Sequence, residues 1–493
     1  MSSSAQALPR TADDARPTER PGVALAIIVS CQLMLIVDAS IVNVALPSIQ
    51  RGLHFSAIGL AWVPSLYTLV FGGLLLAGGR LGDVLGRRRM LVAGIALFTV
   101  ASLAGGFATT SGWLLATRAL QGAGAALAAP GTLSLIAATF PPGQARNRAL
   151  GAFSAAAGAG VTIGYVLGGV LTAELSWRWV MFINVPFGTA ILFVAPRFLA
   201  EPERHPGRID VLGALTATLG MGSLTYAFVR VAGTGWADGR ALGAFVAAAV
   251  LLAAFVGWQS RATHPIMPLR LFTDRNRAIG LANMFLLGAA LAGTIYFLSQ
   301  LLQEALGMGP LRAGLAVLPM ALTQIASSRA APRLVSRIGP KPSTIAGTVL
   351  ITAAMAWLSR ISAGSGYVSG ILGPMLLFGI GIGLCFMPLN MMILADVPRE
   401  DSGAASGLLQ TTQRTGSSVG VAVLVTAFGV ASRHAAAHLA TDDTSRRVLV
   451  QGIAAGFTLA TGFCACALLL ALAIVQPPRR ASGPSDASAG ARS

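Results

Sequence analysis

The sequence predicts an all-α protein that crosses a membrane fourteen times, and three observations carry that reading. Of its 493 residues, 54% are hydrophobic and only 11% charged, whereas soluble domains carry about 25% charged residues. The apolar residues gather in runs of roughly twenty, the length a helix needs to cross hydrocarbon. Most of the 35 lysines and arginines fall in connections that alternate to one side, which orients the chain with both termini in the cytoplasm. A formal charge of +17 would also suit nucleic acid, but this alternation assigns the bases to membrane topology instead.

Taken in order, residues 1–22 are polar and of mixed charge, a cytoplasmic tail. The first apolar run starts at Val23. It is too long for the apolar region of a cleaved signal peptide and lacks a small-residue cleavage site, so it stays as a helix. The expected spans are 23–46, 57–77, 90–109, 112–136, 149–172, 179–199, 210–231, 241–260, 277–302, 311–328, 343–361, 366–391, 404–430 and 450–475. Longer exposed connections are expected at 200–209, 261–276 and 431–449, and 476–493 reads as a disordered cytoplasmic tail.

A weak internal repeat organises these spans. Arg333-Leu334-Val335-Ser336-Arg337-Ile338-Gly339-Pro340-Lys341 keeps the spacing of Arg80-Leu81-Gly82-Asp83-Val84-Leu85-Gly86-Arg87-Arg88, with Ser336 in place of the aspartate. The distance between the copies fits six helices once the seventh and eighth spans are set aside. The chain therefore divides into a six-helix bundle (23–199), an inserted helix pair with its flanking loops (200–276) and a second six-helix bundle (277–475). Parallel repeats of this kind place a substrate site at the midplane between bundles that rock against each other.

Chemistry is sparse and therefore conspicuous. No G-x-x-x-x-G-K-[ST] loop is present, and the single lysine, Lys341, stands between prolines. An ion gradient is thus the expected energy source, with no cofactor. The four cysteines lie in apolar runs as packing residues, and Cys464 and Cys466 point to different sides of their helix, against a shared metal site. His205, His264, His434 and His438 are scattered over connections; a metal patch of His434 and His438 with Asp442 and Asp443 is weighed against a solvated loop, and the loop is preferred.

Asp38 is a carboxyl inside the first span, a functional candidate by position alone. Burial disfavours a carboxylate and a nearby cation favours it, so an alternating environment can load and release a proton. Arg118 in the fourth span lies at a similar depth, roughly 10 Å from the same membrane face at 1.5 Å per residue. A coupled proton site and a static ion pair are both open on this evidence. Gly160, Gly164, Gly168 and Gly169 make a flat groove for a neighbouring helix. Trp62, Tyr67, Gln121, Gln410 and Arg414 are candidates for a substrate cavity; Arg414, deep in the thirteenth span, must face a cavity or a partner. Glu304 reads as a solvated helix end.

The charged bridge Gly79-Arg80-Leu81-Gly82-Asp83-Val84-Leu85-Gly86-Arg87-Arg88-Arg89 is expected to be a tight cytoplasmic turn. It resembles the loop between the second and third helices of major facilitator superfamily transporters. Arg118-Ala119-Leu120-Gln121-Gly122-Ala123-Gly124-Ala125-Ala126 is similar to the superfamily's fourth-helix motif R-x-x-Q-G-x-G-A-A. The glycines from Gly160 to Gly169 resemble its antiporter motif, with Tyr165 where that motif has proline, and Ser176-Trp177-Arg178-Trp179 with Asn184-Val185-Pro186 resembles its W-R-W…N-x-P element. With Asp38-Ala39-Ser40-Ile41-Val42-Asn43-Val44-Ala45-Leu46-Pro47 and fourteen spans, the likeness points to the fourteen-helix drug:proton antiporters.

That resemblance implies a monomeric plasma-membrane exporter exchanging a small lipophilic substrate for protons, with Asp38 and Arg118 as the coupling pair. It implies that Asp83, with Gly79, Gly86, Arg87 and Arg88, latches the outward-open state against a helix end of the other bundle. A substrate–proton symporter is the alternative, and a polytopic membrane enzyme or lipid-handling protein a remote one.

Overall fold

A computed structural model describes residues 20–474 apart from 142, 202–209, 263–264, 266, 268, 396, 398–401 and 439–443. Residues 1–19 of the first tail, all of the second, His205, His264, Asp442 and Asp443 lie outside the described residues, and Pro21 and Gly22 of the first tail begin α1. The fourteen long helices are α1 (Pro21–Leu53), α2 (Trp62–Leu85), α3 (Arg87–Gly106), α4 (Ser111–Thr139), α5 (Gln144–Glu174), α6 (Asn184–Phe198), α7 (Val211–Thr234), α8 (Gly239–Gln259), α9 (Arg275–Gln300), α10 (Pro310–Ile338), α11 (Pro340–Leu358), α12 (Gly373–Leu394), α13 (Ser402–His438) and α14 (Thr444–Ala473). Single turns at Trp179–Phe182, Leu301–Ala305 and Tyr367–Leu372 extend α6, α9 and α12.

Among the described residues, eleven helical stretches are by themselves long and apolar enough to cross a membrane. The other three helices are α5, α10 and α11. Of these, α10 carries Arg312, Arg329, Arg333 and Arg337. The expected connection at 431–449 is shorter than the sequence suggested, because α13 runs on to His438. Alanines fill that last stretch, and they favour helix whether or not lipid surrounds them.

Helices α1–α6 pack on one another, as do α9–α14. The two bundles meet along α2–α13 and α5–α10. Within the inserted pair, α7 leans on both α2 and α13, while α8 packs mainly on α7. Thr426 on α13 donates to the Phe228 carbonyl on α7 at 2.7 Å. Asp210 caps α7 by accepting from the Gly213 amide at 2.8 Å and also receives the Trp258 indole at 2.8 Å and the Gln259 amide at 2.7 Å. These bonds tie the α7–α8 hairpin at the end of the molecule where α1 begins and α14 ends. Its other end is tied by Arg230 and Asp238, 3.1 Å apart.

The repeat read from sequence reappears as geometry. Gly86, at φ +114°, is the single residue breaking α2 from α3, and Gly339, at φ +90°, does the same between α10 and α11. Positive φ is a conformation that glycine adopts without steric cost.

Candidate functional site

Asp38 is completely buried and Arg118 is 1% exposed. The Arg118 Nη1 donates to Asp38 Oδ2 at 2.8 Å. The carboxylate does not rest on that ion pair alone. Asn184 Nδ2 donates to Asp38 Oδ1 at 2.8 Å and Gln121 Nε2 donates to the same oxygen at 3.3 Å. Gln121 also accepts from Arg118 at 2.9 Å and donates to Ser102 Oγ at 2.7 Å. Arg118 Nε donates to the Val63 carbonyl at 3.2 Å, and its guanidinium carbon lies 4.4 Å from the centre of the Tyr67 ring. Five helices, α1, α2, α3, α4 and α6, thus converge on one carboxylate.

Small residues make this convergence possible. A Cβ on Gly122 would sit 2.6 Å from the Tyr67 carbonyl, and one on Gly124 would sit 2.6 Å from the Gly94 carbonyl, so α4 is pressed against α2 and α3. The groove on α5 seats α1, the helix that carries Asp38. A Cβ on Gly160 would lie 3.0 Å from Ile36 Cγ2, on Gly164 2.6 Å from Ser40 Cβ, and on Gly168 2.8 Å from the Ile41 carbonyl. Gly169 faces the other way, where a Cβ would meet Leu311 Cα at 2.9 Å across the bundle interface. Tyr165 is buried beside it, its carbonyl against Gly314 of α10.

The charged turn departs from expectation in three ways. Helix α2 continues to Leu85, so Gly79 and Gly82 are helical, with ordinary contacts of 3.6 Å for an added Cβ. Only Gly86 needs its glycine. Asp83 pairs with Arg87 at 2.7 Å and with Arg80 at 4.0 Å. Arg88 is not its partner: Arg88 lies 3.6 Å from Glu201, gives its backbone N–H to that carboxylate at 3.0 Å and bonds the Leu199 carbonyl at 3.0 Å. Glu201 thereby places a negative charge on the first turn of α3, where unpaired backbone N–H groups welcome it.

The five cavity candidates do not form one group. Gln121 belongs to the Asp38 network. Tyr67, 1% exposed, covers Arg118. Trp62 points to the inserted pair, its ring 6.5 Å from that of Tyr226 on α7. Gln410 and Arg414 are half-buried and one turn apart on α13. The Arg414 guanidinium carbon lies 4.7 Å from the Phe71 ring centre. There α2 and α13 nearly touch: a Cβ on Gly72 would lie 2.8 Å from Arg414 Cβ.

At the end opposite the start of α1, the bundles are closed against each other by contacts that the sequence did not advertise. Glu304 is exposed at its helix end, as expected, and there it also pairs with Arg51 of α1 at 2.7 Å. Ser299 Oγ donates to the Asn43 carbonyl at 2.6 Å, Gln303 Nε2 to the Val44 carbonyl at 2.8 Å and the Tyr296 hydroxyl to the Ala57 carbonyl at 3.2 Å. Pro47 lies inside α1 and has no N–H for the Asn43 carbonyl. The hydroxyl of the opposite bundle fills that vacancy. A proline four residues after a polar residue was the visible signal; its partner 256 residues away was not.

Among the described residues no group of three or more metal-ligating side chains comes together.

Comparison with known proteins supplies the lineage. The family model of the Major Facilitator Superfamily matches residues 28–421. The chain is 38% identical to the cephamycin export protein CmcT of Amycolatopsis lactamdurans, over 86% of this chain and 88% of that one. It is 36% identical to the puromycin resistance protein pur8 of Streptomyces alboniger, over 92% and 90%. It is 35% identical to the tetracenomycin C resistance and export protein of Streptomyces glaucescens, over 82% and 75%. Among solved structures, the nucleoside transporter NupG matches with a TM-score of 0.64 at 13% identity, over 92% of this chain and all of that one, a likeness of fold alone. The chain belongs to the major facilitator superfamily and is a multi-pass membrane transporter, not an enzyme.

Proposed function

We propose that the protein is a proton-coupled exporter of lipophilic drugs or antibiotics, working by alternating access in the plasma membrane with both termini in the cytoplasm. The observation that carries this reading is the buried Asp38–Arg118 pair at 2.8 Å. An arginine keeps its charge, so the member of such a pair that changes protonation is the carboxyl. Protonating Asp38 removes the attraction to Arg118 and leaves the guanidinium its bonds to Gln121 and Val63. It also alters the helix that carries the distal closure, because Asp38, Asn43, Val44 and Arg51 all lie on α1.

Proton uptake therefore biases the balance between states in which the two bundles are closed at one end or the other. A drug moves the same balance through its differential affinity for those states. The turn at Gly86, with Asp83 and Arg87, fits the role of a latch at the terminal end, while Arg88 and Glu201 stiffen it. The names of the relatives suggest antibiotics as the substrate class.

The test is transport in liposomes with an imposed pH gradient, using a cephamycin, puromycin and tetracenomycin C as probes. Export in exchange for protons predicts drug movement against the proton flow. Movement of drug together with protons would instead establish the symporter, and no gradient-driven movement of any probe would refute the reading.

A further inference from the structure

Three charged side chains occupy the middle of the described spans: Asp38, Arg118 and Arg414. Asp38 and Arg118 neutralise each other. Arg414 has no carboxylate within ion-pair distance among the described residues, and the face of Phe71, 4.7 Å away, is the contact its guanidinium makes. A π face satisfies part of a cation's attraction and none of its five N–H donors. A charge left so at this depth is costly unless something mobile completes it.

The surroundings are those of a ligand site. Arg414 is half-buried at the α2–α13 seam, where the bundles meet. Phe71 packs against Tyr67 with the rings tilted, 5.9 Å between centroids. The Tyr67 hydroxyl and Thr411 Oγ1 are buried without a hydrogen-bond partner. Gln410 lies on the same face of α13 one turn away, and among the described residues its amide is also without a partner.

We propose that Arg414 binds a carboxylate on the transported substrate, so that the protein prefers lipophilic monoanions. This rests on the export reading above and deepens it. A guanidinium offers two parallel N–H donors that match the two oxygens of a carboxylate, and Phe71, 2% exposed while the α2–α13 seam is closed, would present apolar surface to the remainder once that seam opens. Exporting an anion and admitting a proton carry charge in the same direction across the membrane, so the membrane potential would assist both halves of the cycle.

The test uses three probes that differ in one group: pyrenebutyrate, its methyl ester and pyrenebutylamine. Binding of each is measured by fluorescence on the full-length protein in phosphatidylcholine nanodiscs. The wild type is expected to bind the carboxylate about tenfold more tightly than the ester, the factor that ~1.4 kcal/mol represents. Arg414→Gln is expected to reduce the carboxylate to the affinity of the ester and to improve the ammonium probe, while Arg414→Lys retains part of the preference. A wild type without preference for the carboxylate, whether all three probes bind alike or none binds, overturns the proposal. So does a preference that survives Arg414→Gln, or an equal loss of all three probes in that variant. An oxyanion of lipid could fill the same site, so the measurement is repeated with phosphatidylglycerol in the nanodisc. A carboxylate preference abolished by that lipid assigns the arginine to lipid and also overturns the proposal. Asp38→Asn should keep the preference while losing gradient-driven transport, so failure of proton coupling and failure of anion recognition give different patterns.

Discussion

Replacing Gly164 by alanine should separate the helix that bears Asp38 from the one that supports it. The added methyl would lie 2.6 Å from Ser40 Cβ and 3.0 Å from the Val37 carbonyl. Carbon atoms rest at about 3.5–4.0 Å, so roughly 1 Å of separation is needed. The side chain of Ser40 cannot move its own Cβ, and Val37 contributes backbone, so α1 or α5 must shift. A shift of that size applied to α1 would stretch the 2.8 Å bonds from Arg118 and Asn184 to Asp38 past ~3.5 Å, where they are no longer hydrogen bonds. Overpacking of this kind costs about 1–3 kcal/mol, and each hydrogen bond to a charged group lost adds about 1.5–3 kcal/mol.

Gly151 on the same helix is the control, because a Cβ there meets nothing within 4 Å. Gly151→Ala should stabilise by about 0.5–1 kcal/mol, the usual gain for alanine over glycine in a helix. The assay pairs thermal unfolding of the purified protein with pH-gradient-driven transport. Gly164→Ala should unfold earlier and transport at least tenfold more slowly, with Gly151→Ala unfolding later. A Gly164→Ala protein as stable and as active as the wild type would refute the packing argument.

Other outcomes follow from the same geometry. Gly86→Ala forces a side chain to φ +114° and to 2.7 Å from Glu201 Oε1, so it should lower stability by about 1–3 kcal/mol, measured by thermal unfolding. Glu304→Gln should loosen the distal end by no more than ~1 kcal/mol, since Arg51 is 64% exposed; labelling of a cysteine placed nearby should rise, and the charge-swapped pair Arg51→Glu with Glu304→Arg should restore it. Asp238, in the connection between α7 and α8, is held well below the usual carboxylate range by the Thr234 hydroxyl and by Arg230. Its contribution is therefore complete above the unfolded value, about 3.9, and is lost as pH falls through the lower folded value. The protection of the α7–α8 hairpin amides, each exchange rate divided by its intrinsic rate at that pH, should be unchanged from pH 8 to 5 and fall only in stronger acid, a profile that Asp238→Asn removes.

Much of this protein was legible before its structure. Fourteen apolar runs announced fourteen helices because hydrocarbon demands length and leaves no alternative way to satisfy backbone groups. Asp38 and Arg118 could be paired by depth alone, since each is costly in lipid without the other. The Asn184 amide on Asp38 was out of reach: it lies 146 residues away, and an asparagine near a span end has many uses. Glu201 sat in an ordinary-looking connection, and nothing local says that it caps α3. Gly79 and Gly82 misled because a glycine-rich, charged stretch reads as a turn, yet both continue α2, where a Cβ would meet only ordinary contacts at 3.6 Å. The close approach of α4 falls one residue earlier, at Gly78, where a Cβ would run into the Ala126 carbonyl.

The central claim is that Asp38 carries the transported proton, and proton release is its most direct test. Purified protein, weakly buffered with a pH-sensitive dye, is mixed with a cephamycin, puromycin or tetracenomycin C, and the protons set free are counted. The wild type should release protons on binding a transported drug; Asp38→Asn should still bind that drug yet release none. Equal release from both proteins would show that the proton resides elsewhere.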